Sequence, residues 1–122
     1  MGYKKITIAA MIARKLKAHG VRRMFGIPGG GSSLDLIAEC ASQGIIFQLA
    51  KREDSAVIMA AVTAELTGTP GVVLTTKGPG ISNAMNGVAY ASLDRAPVLV
   101  LTDGFSPNLQ SYVTHQVFDQ KA

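Results

Sequence analysis

Residues 71–94 read GVVLTTKGPGISNAMNGVAYASLD, and this stretch decides the fold. Gly71 to Thr76 is a short apolar, β-branched run of the kind that forms a strand covered on both faces. Gly78-Pro79-Gly80 ends it. Proline suits the first turn of a helix, and flanking glycines let other backbone or a ligand come close. The spacing predicts a helix from that turn to about Asp94, followed by a strand over Pro97 to Thr102. Gly87 falls inside the helix, where it costs about 1 kcal/mol against alanine. A close neighbour, whether a helix of the same domain, a second subunit or a ligand, would account for it.

The same strand–turn–helix unit recurs upstream. Ile8, Met11, Ile12 and Leu16 mark a first helix over 7–19, stopped by Gly20. Met24 to Ile27 is a strand that runs into PGGG, and Ser32 with Asp35 has the form of a capping box for a helix ending near Gly44. Ile45 to Ala50 is the next strand. A helix follows from Glu53 to Thr67, with Ala56, Ala60, Ala61 and Ala64 on its close-packing side and Gly68 as its stop. Strands and helices alternating at this spacing predict parallel strands, right-handed crossovers and a three-layer, doubly wound α/β domain. The stretch 105–122 reads as polar and irregular, as though cut inside a larger protein.

Composition narrows the function classes. The 122 residues are 48% hydrophobic and 16% charged, with a mean hydropathy of +0.26. Such a low charge density points to layers buried on more than one side, or to surface covered by a partner. The net charge of +4 is concentrated early: Lys4, Lys5, Arg14, Lys15, Lys17, Arg22 and Arg23 all precede the first acid, Asp35. No aromatics interleave with these cations, so a solvated helix face is preferred to a nucleic-acid surface. The lone Cys40 excludes a disulfide framework or thiolate metal cluster and reads as a small core residue. No apolar run, Ala96 to Leu101 included, is long enough to span a membrane, so no membrane role is expected and the cytoplasm is the default.

In doubly wound folds, ligands sit outside the carboxyl ends of the strands. Four segments should line that edge: PGGG, Lys51-Arg52-Glu53, Thr76 to Gly80, and Asp103-Gly104. The PGGG turn satisfies neither common phosphate-loop pattern. Leu34 stands where a dinucleotide fingerprint needs its third glycine, and Ser32 precludes a Walker lysine. Glu53 can be read as an acid complementing a helix N-terminus, worth about 0.3–1 kcal/mol, or as a carboxylate held at the strand edge for proton chemistry. His115, Gln116 and Asp119 lie in the tail, and no second ligand at metal spacing accompanies His115.

Taken in order, GVRRMFGIPGG, the segment from KREDSAV to PVLVLT, and THQVFDQ resemble the acetolactate synthase-like group of thiamine-diphosphate enzymes. The resemblance runs along essentially the whole chain. It implies that residues 1–122 are the N-terminal pyrimidine-binding domain of a much longer lyase or transferase, a 2-oxo acid decarboxylase/carboligase that works as a homodimer or homotetramer. By that resemblance, Glu53 hydrogen-bonds the cofactor's pyrimidine nitrogen, favours its imino tautomer and so promotes the ylide that attacks a 2-oxo acid. Pro28 and Gly29 would lie against the pyrimidine ring, while Gly78, Pro79 and Asn83 support the same pocket and the dimer contact. Gln116, with His115, would face the substrate, making Glu53 and Gln116 the catalytic candidates.

Three departures from the family pattern stand out. Arg52 replaces a usual histidine, Lys77 replaces a usual small residue, and the Gly-Asp-Gly…Asn segment that holds diphosphate and Mg²⁺ is absent. Mg²⁺ is therefore expected through another domain, FAD is left open because its site belongs to a central domain, and these residues alone are expected to be inactive. Two other readings remain: a non-catalytic domain without cofactor, and a generic nucleotide-binding α/β module.

Overall fold

A computed structural model describes residues 6–110 and 112–117. Lys4, Lys5 and Asp119 lie outside the described residues. The chain opens with α1 (Ile8–Ala18), β1 (Arg23–Ile27), α2 (Ser32–Ser42) and β2 (Ile46–Leu49). It continues through α3 (Glu53–Thr67), β3 (Gly71–Thr75), α4 (Pro79–Leu93), β4 (Val98–Thr102) and the short α5 (Pro107–Gln110). The tail expected to be irregular thus contains one helical turn.

The four strands form one parallel sheet in the order β2-β1-β3-β4. Moving from β1 to β2 goes one way across the sheet; moving from β2 to β3 and on to β4 goes the other way. Right-handed crossovers then put α2 on one face and α3 and α4 on the opposite face. Packing follows that rule. Ala13 and Leu16 of α1 and Leu36 and Cys40 of α2 share a core with Met24, Ile45, Val72 and Leu74. Ala56, Val57, Ala60 and Ala61 of α3 and Ala84 and Ala91 of α4 share the other with Phe25 and Val73. Successive residues of β3 point to opposite faces and all five are buried, which explains the unbroken apolar run. The expected three-layer, doubly wound architecture is the one observed.

Local chemistry sets the helix ends. The Thr7 hydroxyl accepts from Ala10 N–H at 3.1 Å to cap α1, and Gly68 closes α3 in the left-handed conformation, φ 67°. The capping box expected at Ser32 does not form. Gly31, at φ 60°, takes the cap position, and Ser32 becomes the first helical residue with its hydroxyl turned to Asp103. Helical spacing located α1 but not its face: Ile8 and Met11 are exposed, and Ala9, Ile12, Ala13 and Leu16 make the contact. Cys40 is fully buried, as expected, and burial pushes its thiol up, helped by the charge of Glu39.

The neighbour that Gly87 accommodates is α3. A Cβ at position 87 would stand 2.4 Å from Asp54 O and 2.7 Å from Val57 Cβ. The two helices cross with backbone nearly touching side chain, and the alanine stripe of α3 permits it.

Candidate active-site crevice

Connections from β1 and β3, which are neighbours, leave in opposite directions, so the crevice between their carboxyl ends is the switch point where such folds bind ligands. The PGGG turn follows β1 and Thr76 to Gly80 follows β3. The two turns touch: a Cβ on Gly29 would lie 2.3 Å from Thr76 Oγ1 and 3.6 Å from Ser33 Oγ. Ser33 Oγ and, at the end of β3, Thr75 Oγ1 are buried with no hydrogen-bond partner among the described residues. Polar capacity is thus left unsatisfied beside the crevice.

Glu53 is the first residue of α3, preceded by Arg52 in extended conformation. Its side chain is half-buried, and Asn83 Nδ2 donates to Glu53 Oε2 at 3.5 Å, the outer limit of hydrogen bonding. The strong partner in the neighbourhood goes elsewhere. The Arg52 guanidinium donates through Nε and Nη2 to the two oxygens of Asp54, at 3.0 and 2.9 Å. That two-pronged contact, joined by the Ser55 N–H at 2.7 Å, holds the Asp54 carboxyl down at about 2 against the opposing effect of desolvation. Arg52 therefore hydrogen-bonds Asp54 and acts on Glu53 only through space, while the Glu53 carboxylate takes its hydrogen bond from a neutral amide.

Asn83 reaches Glu53 because α4 starts at Pro79 on the same edge of the sheet. Gly78, φ 67°, caps that helix without a side-chain bond. A Cβ at Gly78 would sit 2.6 Å from Gln116 Cα and 2.7 Å from Gln116 O, so the tail crosses directly over this glycine. Gln116 is itself left-handed, φ 59°, a conformation uncommon outside glycine that a bulky residue holds only when its surroundings enforce it. The structure thus joins Glu53 to Asn83, Gly29 to Thr76 and Gly78 to Gln116, with the start of α4 shared among them. His115, the neighbour of Gln116, is exposed.

A cavity of about 710 Å³ opens on the α1–α2 side of the sheet. It lies between α1, α2, β3 and β4, lined by Ile8, Ile12, Leu36, Leu74 and Leu101 together with Ser32, Ser33 and Asp103. None of Pro28, Gly29, Glu53, Gly78, Pro79, Asn83 or Gln116 lines it. Among the described residues, no three His, Cys, Asp or Glu side chains converge as metal ligands, and no helix is long and apolar enough to cross a membrane.

Local pattern did not reveal what Asp103 does. Its carboxylate accepts from Lys77 N–H at 2.9 Å, Lys77 Nζ at 2.7 Å and Ser32 Oγ at 3.3 Å. Burial pushes this carboxyl up, but the bonds and charge of Lys77 outweigh it and leave it below the usual carboxylate range. The charge change at position 77 was visible in the sequence; the acid that neutralises it was not.

Residues 6–122 match the family model described as thiamine pyrophosphate enzyme, N-terminal TPP binding domain. The chain is 41% identical over 112 residues to the acetolactate synthase isozyme 3 large subunit of Escherichia coli (strain K12), covering 91% of this chain and 19% of that protein. It is 41% identical over 111 residues to 2-hydroxyacyl-CoA lyase 2 of Bos taurus, covering 91% and 17%. To the catabolic acetolactate synthase of Raoultella terrigena it is 36% identical over 115 residues, covering 93% and 20%. The chain spans about a fifth of the length of these relatives.

Proposed function

Because the chain belongs to the thiamine pyrophosphate enzyme family, as its N-terminal TPP-binding domain, we propose that it supplies the pyrimidine half of the active site in an acetolactate synthase-like 2-oxo acid decarboxylase/carboligase. The observation that carries this reading is the position of Glu53: a half-buried carboxylate at the switch-point edge, passed over by Arg52 and met only loosely by Asn83. A carboxylate gripped at both oxygens by arginine has little left to offer a ligand; Glu53, bonded only at Oε2 and at the outer limit of distance, can still take a ligand's donor.

The residues present fit the aromatic end of the cofactor. Pro28 and Gly29 would make one wall, which Gly29 lets close against Thr76, and Gly78 and Pro79 the facing turn, which Gly78 lets close against Gln116. When bound, thiamine diphosphate supplies the electron sink that makes cleavage beside a carbonyl feasible. Glu53 would hydrogen-bond the pyrimidine ring when the cofactor is present, and Asn83 would orient the Glu53 carboxylate. Gln116, fixed over Gly78, and His115 face the substrate, a small 2-oxo acid. The described residues offer no acidic cluster for the diphosphate end. Mg²⁺ and the diphosphate are assigned to a later domain of the native polypeptide; a flavin, if one binds, belongs to a central domain. The cytoplasm is the proposed compartment.

A second copy of the polypeptide completes the site. Supporting this, α3 and α4 carry the proposed pocket at their starts while exposing Val62, Leu66, Met85 and Leu93 along their lengths. Large apolar side chains at that density on two packed helices favour a protein partner.

The test is Glu53→Gln in the native polypeptide. We expect exchange of the C2 proton of bound thiamine diphosphate to fall by about 10²–10⁴-fold, the usual contribution of a positioned acid–base group. Near-normal exchange would remove Glu53 from the mechanism.

A further inference from the structure

The last rung of the β3–β4 ladder pairs Thr75 with Thr102, after which the main chains part. The Asp103 side chain takes over where they separate. Its Oδ1 accepts from Lys77 N–H at 2.9 Å, as a next rung's carbonyl would, and its Oδ2 accepts from Lys77 Nζ at 2.7 Å. The same Oδ2 accepts from Ser32 Oγ at 3.3 Å. The Lys77 ammonium also lies 4.9 Å from the centre of the Phe105 ring. With the two side chains only 17% and 14% exposed, this is a held pair and not a loose surface contact.

Its three donors come from both walls of the crevice. Ser32 directly follows the PGGG turn, and Lys77 directly precedes Gly78-Pro79, on which Gln116 rests. We infer that Asp103 is a positioning residue: through the Lys77 main chain it fixes the Gly78 turn, and through Ser32 it ties that turn to the PGGG wall, setting the width of the crevice and the seat of Gln116. The inference rests on the function proposed above for what the crevice holds, but the tie itself is a property of this chain. The Lys77 N–H bond is the essential member, because it acts on backbone adjacent to Gly78, whereas the ammonium ends a flexible stem. An Asn oxygen can accept that N–H; an Ala side chain cannot.

Amide hydrogen exchange on the native polypeptide without cofactor tests the tie directly. Asp103→Ala should speed exchange in peptides covering 76–80 and 112–117 by at least about tenfold, the scale of one charge-assisted hydrogen bond, with peptides from α1 unchanged. Asp103→Asn should stay within about threefold of the parent, as should Lys77→Met, which keeps the main-chain N–H. Apparent affinity for thiamine diphosphate should weaken about tenfold for Asp103→Ala and hardly change for Asp103→Asn. Loosening by Asp103→Asn or Lys77→Met equal to that of Asp103→Ala would overturn the inference, since the charge pair would then be the tie. So would an Asp103→Ala protein with unaltered exchange at 76–80. If Asp103→Ala does not fold, the Asn and Met variants still decide between the two. The exchange arms need no cofactor, so they can succeed where Glu53→Gln fails, and the reverse.

Discussion

Two adjacent acids at the start of α3 have opposite fates. Asp54 is gripped by Arg52 and Ser55, while Glu53 is left with an amide at 3.5 Å. The difference has a pH signature. Because the folded-state carboxyl of Asp54 is lowered to about 2, against about 3.9 for an ordinary aspartate, its contribution to stability is complete above pH 4 and fades as pH falls toward 2. Asp54→Asn should therefore lower the melting temperature at pH 5–7, and the gap to the parent should close between pH 4 and 2. A constant gap across that window would mean that the ion pair contributes nothing to folding. The sequence identified Glu53 by its place at a strand-to-helix junction, yet a three-residue run Arg-Glu-Asp does not say which acid the arginine takes. Side-chain geometry decides that: the guanidinium, at the extended cap residue, meets Asp54.

Among the elements, the α3–α4 crossing tests the packing most sharply. Gly87→Ala gains helix propensity worth about 1 kcal/mol, but its methyl meets Asp54 O at 2.4 Å and Val57 Cβ at 2.7 Å. Backbone cannot yield as a flexible side chain can, so the overpacking cost of about 1–3 kcal/mol should win. Denaturant titration should show net destabilisation; a more stable Gly87→Ala protein would mean that the helices separate without penalty. A close approach was legible in advance, because an alanine stripe at helical spacing and a glycine inside a helix both signal one; that α3 is the neighbour, and not a second subunit or a ligand, only the packing shows. The face of α1 was less so. Ile8 and Met11 satisfy the same period as Leu16, but the helix meets the sheet along Ala9, Ile12, Ala13 and Leu16, and periodicity cannot tell which of two overlapping stripes turns inward. The Asp103 tie was legible only as far as a shared edge: the strand ends placed residues 77 and 103 there beside the PGGG turn, but which side chains bond is decided by the folded sheet.

For the whole molecule, family membership and sheet topology agree with the ordered motifs that first suggested them. Single motifs were ambiguous, and the PGGG turn in particular resembled two phosphate loops it does not form. What remained specific was the sequence of strand ends placed on one edge. The proposed assembly makes its own demand. Leu66 and Leu93 are 82% and 84% exposed, and if they meet a second copy, the double substitution Leu66→Lys, Leu93→Lys should shift the native polypeptide toward monomer at micromolar concentration in sedimentation velocity. Cofactor-dependent C2-proton exchange should fall with it. An unchanged sedimentation profile would place the interface elsewhere.

The strand order β2-β1-β3-β4 also bears on how the chain reaches this state. No rung of the sheet joins residues closer in sequence than Arg23 and Ile46, so no hairpin can form early and every pairing must close a long loop. Such topologies fold slowly, because chain entropy is lost before contacts compensate. β1 is nevertheless central, so each later strand can add to an edge already in place, first β2 on one side, then β3 and β4 on the other. During synthesis, the apolar strand Val98–Thr102 is thus the last of the four to emerge, and it arrives at a template complete enough to receive it.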